Sequence, residues 1–473
     1  MPWADAHISG TRTFKEVELR ALQVMLITEG KHWRAMREIC QEIDNRRGPG
    51  FLYASEEIES FLLFAMAAGG KSVKDAYDLL TGDLGGPARR LLGFDRPRND
   101  DRKRERMIRL DGVPSPPTVS RHKERFPAAI RERLWREIEY ATRMENLSLP
   151  ENLPLLRSLG TDGTKVETSH TCPIIDPKTG EIVNADKVTC PTGGYVPLSA
   201  GPDKSGHGWN LISASTHNRQ PAAWEVVLLP DSERSKGAEL VAEQILRDIT
   251  PLLKGQVGIF TTDVAFHSSP MRKTCQTAGF VPNIHLSSHA DTERARKSVE
   301  RRNKQVFTFP DYPNWRANGH REIYCACGKG KVSKRFYQTN KGEVIPRVEG
   351  SCPTCGSITI TAGDRRRSAT QFIRCHPADT VEQRDYALGN GLTFHDPVSD
   401  AHGNARWHSQ EGLHSMAEQR FELTSKKRRR SITHVRIDIA MAFTLIHAIS
   451  MNDILSRREQ QDDAPPGDLP LAA

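Results

Sequence analysis

Three acidic residues stand in settings where a carboxylate can do chemistry. Asp263 follows an apolar run, Val257 to Phe260, and the chain then passes through His267-Ser268-Ser269-Pro270 into a segment of helical type. A buried strand that ends in an acid and turns into a helix is how an open α/β sheet presents a catalytic group. Asp162 lies in Leu-Gly-Thr-Asp-Gly-Thr-Lys, and Glu411 in Trp-His-Ser-Gln-Glu-Gly-Leu-His-Ser. Alone, an aspartate before a helix is a common cap. Together, three carboxylates can hold two Mg²⁺ or Mn²⁺ ions about 4 Å apart, one activating a water or hydroxyl and one stabilising a leaving oxygen.

A second constellation is made of sulfur. Cys325-Ala-Cys327-Gly is followed, after 24 intervening residues, by Cys352-Pro-Thr-Cys355-Gly. Each pair sits on a glycine-ended turn, so four thiolates can close a tetrahedron around zinc, leaving no open position for chemistry. The zinc would be structural. From 321 to 362 there are seven Lys/Arg against three Asp/Glu, so this ribbon is basic. Cys172 and Cys190, with His170 nearby, fit no standard metal spacing, and Cys375-His376 reads as a packed pair.

The positioning elements can be read in order. Apolar residues at helical spacing predict helices over 14–46, 55–70 and 72–84, forming a small helical core. A basic run follows, with Arg102, Lys103, Arg104 and Arg106. Ser115 can cap a helix whose first turn holds Pro116 and whose inner face holds Val119 and Phe126. Thr118, Ser120, Arg121 and Lys123 then point outward near its start, the composition of a DNA recognition helix in a helix-turn-helix; an ordinary capped surface helix is the plain alternative. A helix over 131–146 leads away. Asp162 marks a first strand, 206–215 and 223–230 the next two, 236–254 a crossover helix, then the Asp263 strand, a helix over 268–279 and a strand over 280–286. Residues 170–205, rich in Gly, Pro and Thr, read as a hairpin or loop excursion and 291–305 as exposed. A helix starting near Ser409 places Glu411, Ser415, Glu418 and Glu422 on one face, so Glu418 is the other candidate for the third acid. Lys426, Lys427 and Arg428 open a basic run that can hold phosphates beside the proposed site. Ile432–Ile454 reads as a buried closing helix.

The chain has 473 residues and a formal net charge of +8, with 67 Lys and Arg against 59 Asp and Glu. That length holds two or three domains, and the basic balance favours polyanions such as nucleic acid. No apolar run approaches the ~20 residues of a membrane span, and the N-terminus lacks a signal-peptide layout. Nine cysteines, four of them in metal-type pairs, point to a reducing, cytoplasmic compartment.

In order and spacing, SVKDAYDLLTGDLGGPARRLLGF, PSPPTVSRHKERF, GTDGT, TTDVAFHSSP and RWHSQEGLHS resemble the insertion-sequence transposases of the DDE type, across most of residues 70–450. The resemblance implies an α/β chain with a ribonuclease H-like mixed sheet flanked by helices. It divides into an all-α DNA-binding region (1–150), the core in two parts (151–320 and 363–456), an inserted zinc ribbon (321–362) and a disordered tail (457–473). It implies Asp162, Asp263 and Glu411 as the metal-binding catalytic acids of DNA strand cleavage and transfer. It further implies double-stranded DNA as partner, a homodimer on DNA and a nucleoid-associated prokaryotic setting. The chain departs from the family's usual spacing around the glutamate: Arg406 lies five residues before Glu411 where four is usual. A nuclease without strand transfer, or a DNA-binding regulator without catalysis, would use many of the same parts.

Overall fold

A computed structural model describes residues 14–47, 53–69, 72–95, 98–99, 108–109, 112–176, 178–197, 205–229, 231–263, 275, 277–285, 306–309, 311–317, 323–338, 344–361, 397–423 and 431–462. Its first region holds helices α1 (Phe14–Thr28), α2 (Arg34–Arg47), α3 (Ser55–Ala67), α4 (Val73–Thr81) and α5 (Gly86–Leu91). Two-residue strands β1 (Arg98–Asn99) and β2 (Ile108–Arg109) then pair antiparallel before α6 (Pro116–Arg125) and α7 (Ala128–Leu147). The expected all-helical region therefore carries one short ladder. The proline before Arg98 cannot continue a helix, which favours extended chain at that point.

The helices meet at a buried charge. Glu59 of α3 is fully buried and accepts from Arg131 Nε and Nη2 (2.7 and 3.0 Å), His122 Nε2 (2.8 Å) and Trp135 Nε1 (3.0 Å). Burial alone would raise its pKa, but the Arg131 guanidinium and the His122 hydrogen bond hold it well below the usual carboxylate range. One carboxylate thus ties α3 to α6 and α7.

Beyond α7 lies a six-stranded mixed sheet: β3 (Ser158–Glu167), β4 (Gly194–Pro197), β5 (Ser205–Ser215), β6 (Pro221–Leu228), β7 (Gly258–Asp263) and β8 (Phe280–His285). β4 and β6 share one edge of β5, which pairs antiparallel with β3. β3, β7 and β8 run parallel. The parallel step is made by α8 (Asp231–Gln244), a π turn (Ile245–Ile249) and α9 (Thr250–Leu253). Alternate strand residues feed two cores. Leu159, Ile212, Ala223 and Val227 pack with Val241, Ile245 and Ile249, whereas Trp209, Leu211, Trp224 and Val226 face α10 (Pro397–Phe421) and α11 (Ile432–Asp462). With both faces covered, β6 is buried over all but its last residue.

By length and composition Ile432–Arg458 could cross a membrane, but 67% of its most apolar 18-residue window is buried inside the fold, and the helix packs against α7, α1, α3 and β6. The fold is α/β in class; β3, β5, β6, β7 and β8 fall on the expected strands, and β4 is added at the end of the stretch expected as a hairpin or loop excursion. The expected helix over 268–279 lies almost wholly outside the described residues, as do 291–305, Cys375 and His376. The disordered tail expected over 457–473 is corrected at its start: good helix formers from Arg457 to Gln461 carry α11 on to Asp462, and Arg458 pairs with Glu151 at 2.6 Å, while 463–473 lie outside the described residues.

Replacing Glu59 with Gln leaves Arg131 buried without a counter-charge and should lower stability in urea unfolding by about 3–5 kcal/mol. Because the folded pKa is depressed, this stabilisation is complete above the ordinary glutamate value of about 4.3 and is lost as pH falls below it. The wild-type advantage over Glu59→Gln should therefore shrink in acid, while at pH 7 it is fully present.

Candidate functional site

Asp162 lies in the middle of β3, half-buried, on the sheet face that α10 covers. Its Oδ2 accepts from Arg406 Nη1 at 3.1 Å, and the same nitrogen reaches the Thr161 carbonyl at 3.3 Å. Arg406 is buried. A Cβ at position 160 would stand 2.7 Å from Arg406 Cγ and 3.0 Å from its Cα, so glycine there is what lets α10 lie directly on β3.

One turn on, Gln410 is fully buried; its amide nitrogen donates to the Gly160 carbonyl and to Ser215 Oγ, and its oxygen accepts from Ser213 Oγ (3.1 Å). Another turn on, His414 Nε2 lies 3.1 Å from Ser213 Oγ. Burial pushes His414 down to about 4, with the Asp162 charge pulling the other way, so it is neutral at pH 7. Arg406, Gln410 and His414 are spaced by four, and together they pin one face of α10 to β3 and β5.

The parallel ladder pairs Ser158 with Ile259, Leu159 with Phe260 and Gly160 with Thr261. Carried two residues further, that register sets position 263 level with Asp162 on the neighbouring strand. Asp263 closes β7, opposite His285 of β8. The Asp263 side chain lies outside the described residues.

The glutamates fall elsewhere on α10. The expected start near Ser409 is corrected: the helix begins at Pro397, whose fixed φ suits a first helical position, and Ser409 is buried within it with Oγ bonded to the Arg406 carbonyl at 3.0 Å. Glu411 is therefore not in the first turn. It is exposed, about 100° round the helix from Gln410, and Glu418 is half-buried. The position four after Arg406 belongs to Gln410, a residue that counting acids passes over. Arg219, at a left-handed φ of 66°, was also missed: it lies across Gly412, where a Cβ would come within 2.3 Å of its Nε.

In α6, Val119 and Phe126 are buried as expected, joined by His122. Ser120, Arg121 and Lys123 are exposed. Thr118 is half-buried and its Oγ1 meets Ser115 Oγ at 3.0 Å. Lys426, Lys427 and Arg428 lie outside the described residues.

The second site is the ribbon: β9 (Phe307–Phe309), β10 (Tyr312–Ala317) and β11 (Ile323–Cys325) form one sheet, β12 (Lys331–Gln338), β13 (Val344–Cys352) and β14 (Gly356–Thr361) another. Its core recruits Phe309 and Trp315 from upstream of 321, with Val348, Ile358 and Ile360. The sulfurs of Cys325, Cys327, Cys352 and Cys355 all lie within 4.8 Å of one another, with Cys325–Cys327 at 3.4 Å and Cys327–Cys352 at 3.3 Å. A tetrahedral ion with metal–sulfur bonds of about 2.3 Å needs sulfurs about 3.8 Å apart. Gly328 and Gly356 take left-handed φ values of 73° and 77°, bending each turn so that Gly330 N–H and Cys355 N–H donate to Cys325 and Cys352 sulfur at 2.8 and 3.3 Å. This cluster can hold a metal ion. Among the described residues it is the one group of three or more such ligands. Cys172 and Cys190, buried beneath Gly193, belong to no such group.

Compared with known proteins, the chain matches no family model, no curated protein and no solved structure.

Two measurements check this geometry. Gln410→Ala should cost about 1–3 kcal/mol by leaving the Gly160 carbonyl and Ser215 without their partner, whereas Glu411→Ala, at an exposed position, should leave the urea midpoint nearly unchanged. Metal analysis should find one tightly held ion per chain at the cysteine cluster. Cys352→Ser should release it, and chelation should expose the ribbon to protease.

Proposed function

We propose that this chain is a DDE-type DNA transposase, cutting DNA and joining the freed 3′ end through a two-metal carboxylate site. The observation that carries the reading is the β3–β7 register, paired as far as Gly160 and Thr261, which carried two residues further sets positions 162 and 263 level on adjacent parallel strands. Strand order β6-β5-β3-β7-β8, antiparallel across the first three and parallel across the last three, supports a ribonuclease H-like core.

Asp162 and Asp263 would hold Mg²⁺ or Mn²⁺, with Glu411 as third acid and Glu418 as its rival on the same helix. When bound, the two ions activate a water or 3′-hydroxyl and stabilise the leaving oxygen. The chain's own residues place the acids: Gly160 admits α10, Gln410 sets its register, and Arg406 orients the Asp162 carboxylate while offsetting charge at the site. No side chain need act as a covalent nucleophile.

The four-cysteine ion is zinc with a structural role, since four thiolates leave no open position. Ser120, Arg121 and Lys123 on α6, with Thr118 at its start, would meet double-stranded DNA at the element ends, and Lys426, Lys427 and Arg428 would hold phosphates. The basic balance gives a salt-sensitive background affinity. A homodimer on paired ends in the cytoplasm, associated with the nucleoid, completes the reading.

The test uses the intact protein with DNA bearing the element's own flanking ends, in Mg²⁺ or Mn²⁺. Asp162→Ala and Asp263→Ala should bind as wild type and lose cutting by at least about a thousandfold, the scale of losing a catalytic group. Glu411→Gln and Glu418→Gln, run beside them, identify the third acid as the one whose loss stops cutting. Joining of cut 3′ ends to a second DNA separates a transposase from a nuclease. Wild type that binds and never cuts with any metal would overturn the catalytic reading.

A further inference from the structure

The ribbon carries a face that its metal site does not use. In β10 the side chains of Trp315 and Ala317 enter the small core beside Phe309 and Cys325, and Arg316 between them is exposed on the other side. The registers pair Arg316 with Thr308 of β9 and with Tyr324 of β11. Residues directly opposite on paired strands stand about 5 Å apart. Thr308, Arg316 and Tyr324 therefore form a row across the sheet, all three exposed, with the Tyr324 side chain 39% accessible. Asn314, two residues earlier in β10, is exposed as well. The three strands contain no acidic residue. Just past the Cys327 turn, Lys329 and Lys331 are exposed as well.

An exposed ring on a flat sheet face, beside a guanidinium and short polar side chains, has the chemistry of a nucleic-acid stacking platform. A duplex buries its base faces in its own stack, so a ring standing on a sheet can stack only where bases are unpaired. The cations around it supply phosphate contacts. We infer that the outer face of β9–β11 binds a single strand of DNA, with Tyr324 stacked on a base and Arg316, Lys329 and Lys331 on phosphates. The inference rests on the strand-transfer reading, in which cutting frees unpaired ends, and it assigns those ends a place away from the carboxylates.

The test is binding of the full-length, metal-loaded protein to a labelled oligothymidylate and, separately, to a labelled duplex, across a salt series. Tyr324→Ala should weaken single-strand binding about 5- to 150-fold, the range for losing one stacked base, and leave duplex binding unchanged. Tyr324→Phe keeps the ring and should bind as wild type. Arg316→Ala should reduce the slope of log K against log salt by about 0.7, as for one phosphate contact on a single strand. Metal content equal to wild type verifies that each variant keeps its ribbon. If Tyr324→Ala and Arg316→Ala both hold oligothymidylate as wild type does, the inference is overturned. It also falls, with the DNA reading intact, if wild type binds duplex but not the single strand. Binding to neither DNA at low salt overturns both.

Discussion

Two arginines buried on one helix set the terms for the rest of the structure. Arg131 and Arg143 lie on the same 20-residue helix, α7, about 18 Å apart at 1.5 Å per residue, and each is about 3% exposed. Removing a charge from water costs several kcal/mol, so each needs a partner brought from elsewhere in the chain. Glu59 on α3 answers Arg131. Glu139 (3.1 Å) and Asp248 (3.6 Å) answer Arg143, whose Nη1 also donates to the Ala222 carbonyl at the start of β6. Asp248 reaches inward from the π turn after α8, where the extra residue per turn re-aims its side chain. One helix is thereby locked to the N-terminal helices at one end and to the sheet at the other.

The same constraint reaches the closing helix. Arg436 of α11 joins Glu132 of α7 (3.4 Å) and Glu225 of β6 (3.0 Å), and Arg136 meets Glu225 from the other side at 2.8 Å while lying over the Trp224 ring. Deeper in, Asn146 links Gln220 and His447, the latter buried and pushed down to about 3 by its burial and then by Arg143. These groups are polar where an apolar core would be simpler. Their geometric demands are specific, and they specify a single docking of α7, β6 and α11. With that docking set, the face of β3 that bears Asp162 is left for α10 alone.

Much of this was legible before any coordinates. The strands over 206–215, 223–230 and 280–286, the crossover helix, the buried closing helix and the cysteine cluster all follow from period, burial and ligand spacing, which are local signals. What was not legible depends on contacts distant in sequence. Nothing near Gln410 says that its amide is spent on the carbonyl of Gly160 and the hydroxyl of Ser215, residues roughly two hundred or more positions earlier. The acid next to it, about 100° round the helix, therefore reads as the better candidate. Likewise nothing near His122 says that it is buried against a carboxylate, because only the fold brings Glu59 beside it. The ribbon was recognised by its cysteines, yet much of its hydrophobic content comes from Phe309 and Trp315, which carry no metal signature.

The ribbon's core is thin enough that a metal would matter to it. The ribbon's buried cluster is small, and its Trp315 ring packs against Gly330 and Gly350, where a Cβ would press on the ring at 2.8 and 2.7 Å. So few buried residues cannot offset the ordering of two three-stranded sheets, and small modules of this kind rely on a metal or disulfides. The four clustered sulfurs could supply that support by holding a metal ion. A metal held there would also free the outer faces from any duty to hold the module together. Arg316 and Tyr324 can stand exposed on β10 and β11 because Trp315 and Cys325, their immediate neighbours in sequence, already anchor those strands from the other side.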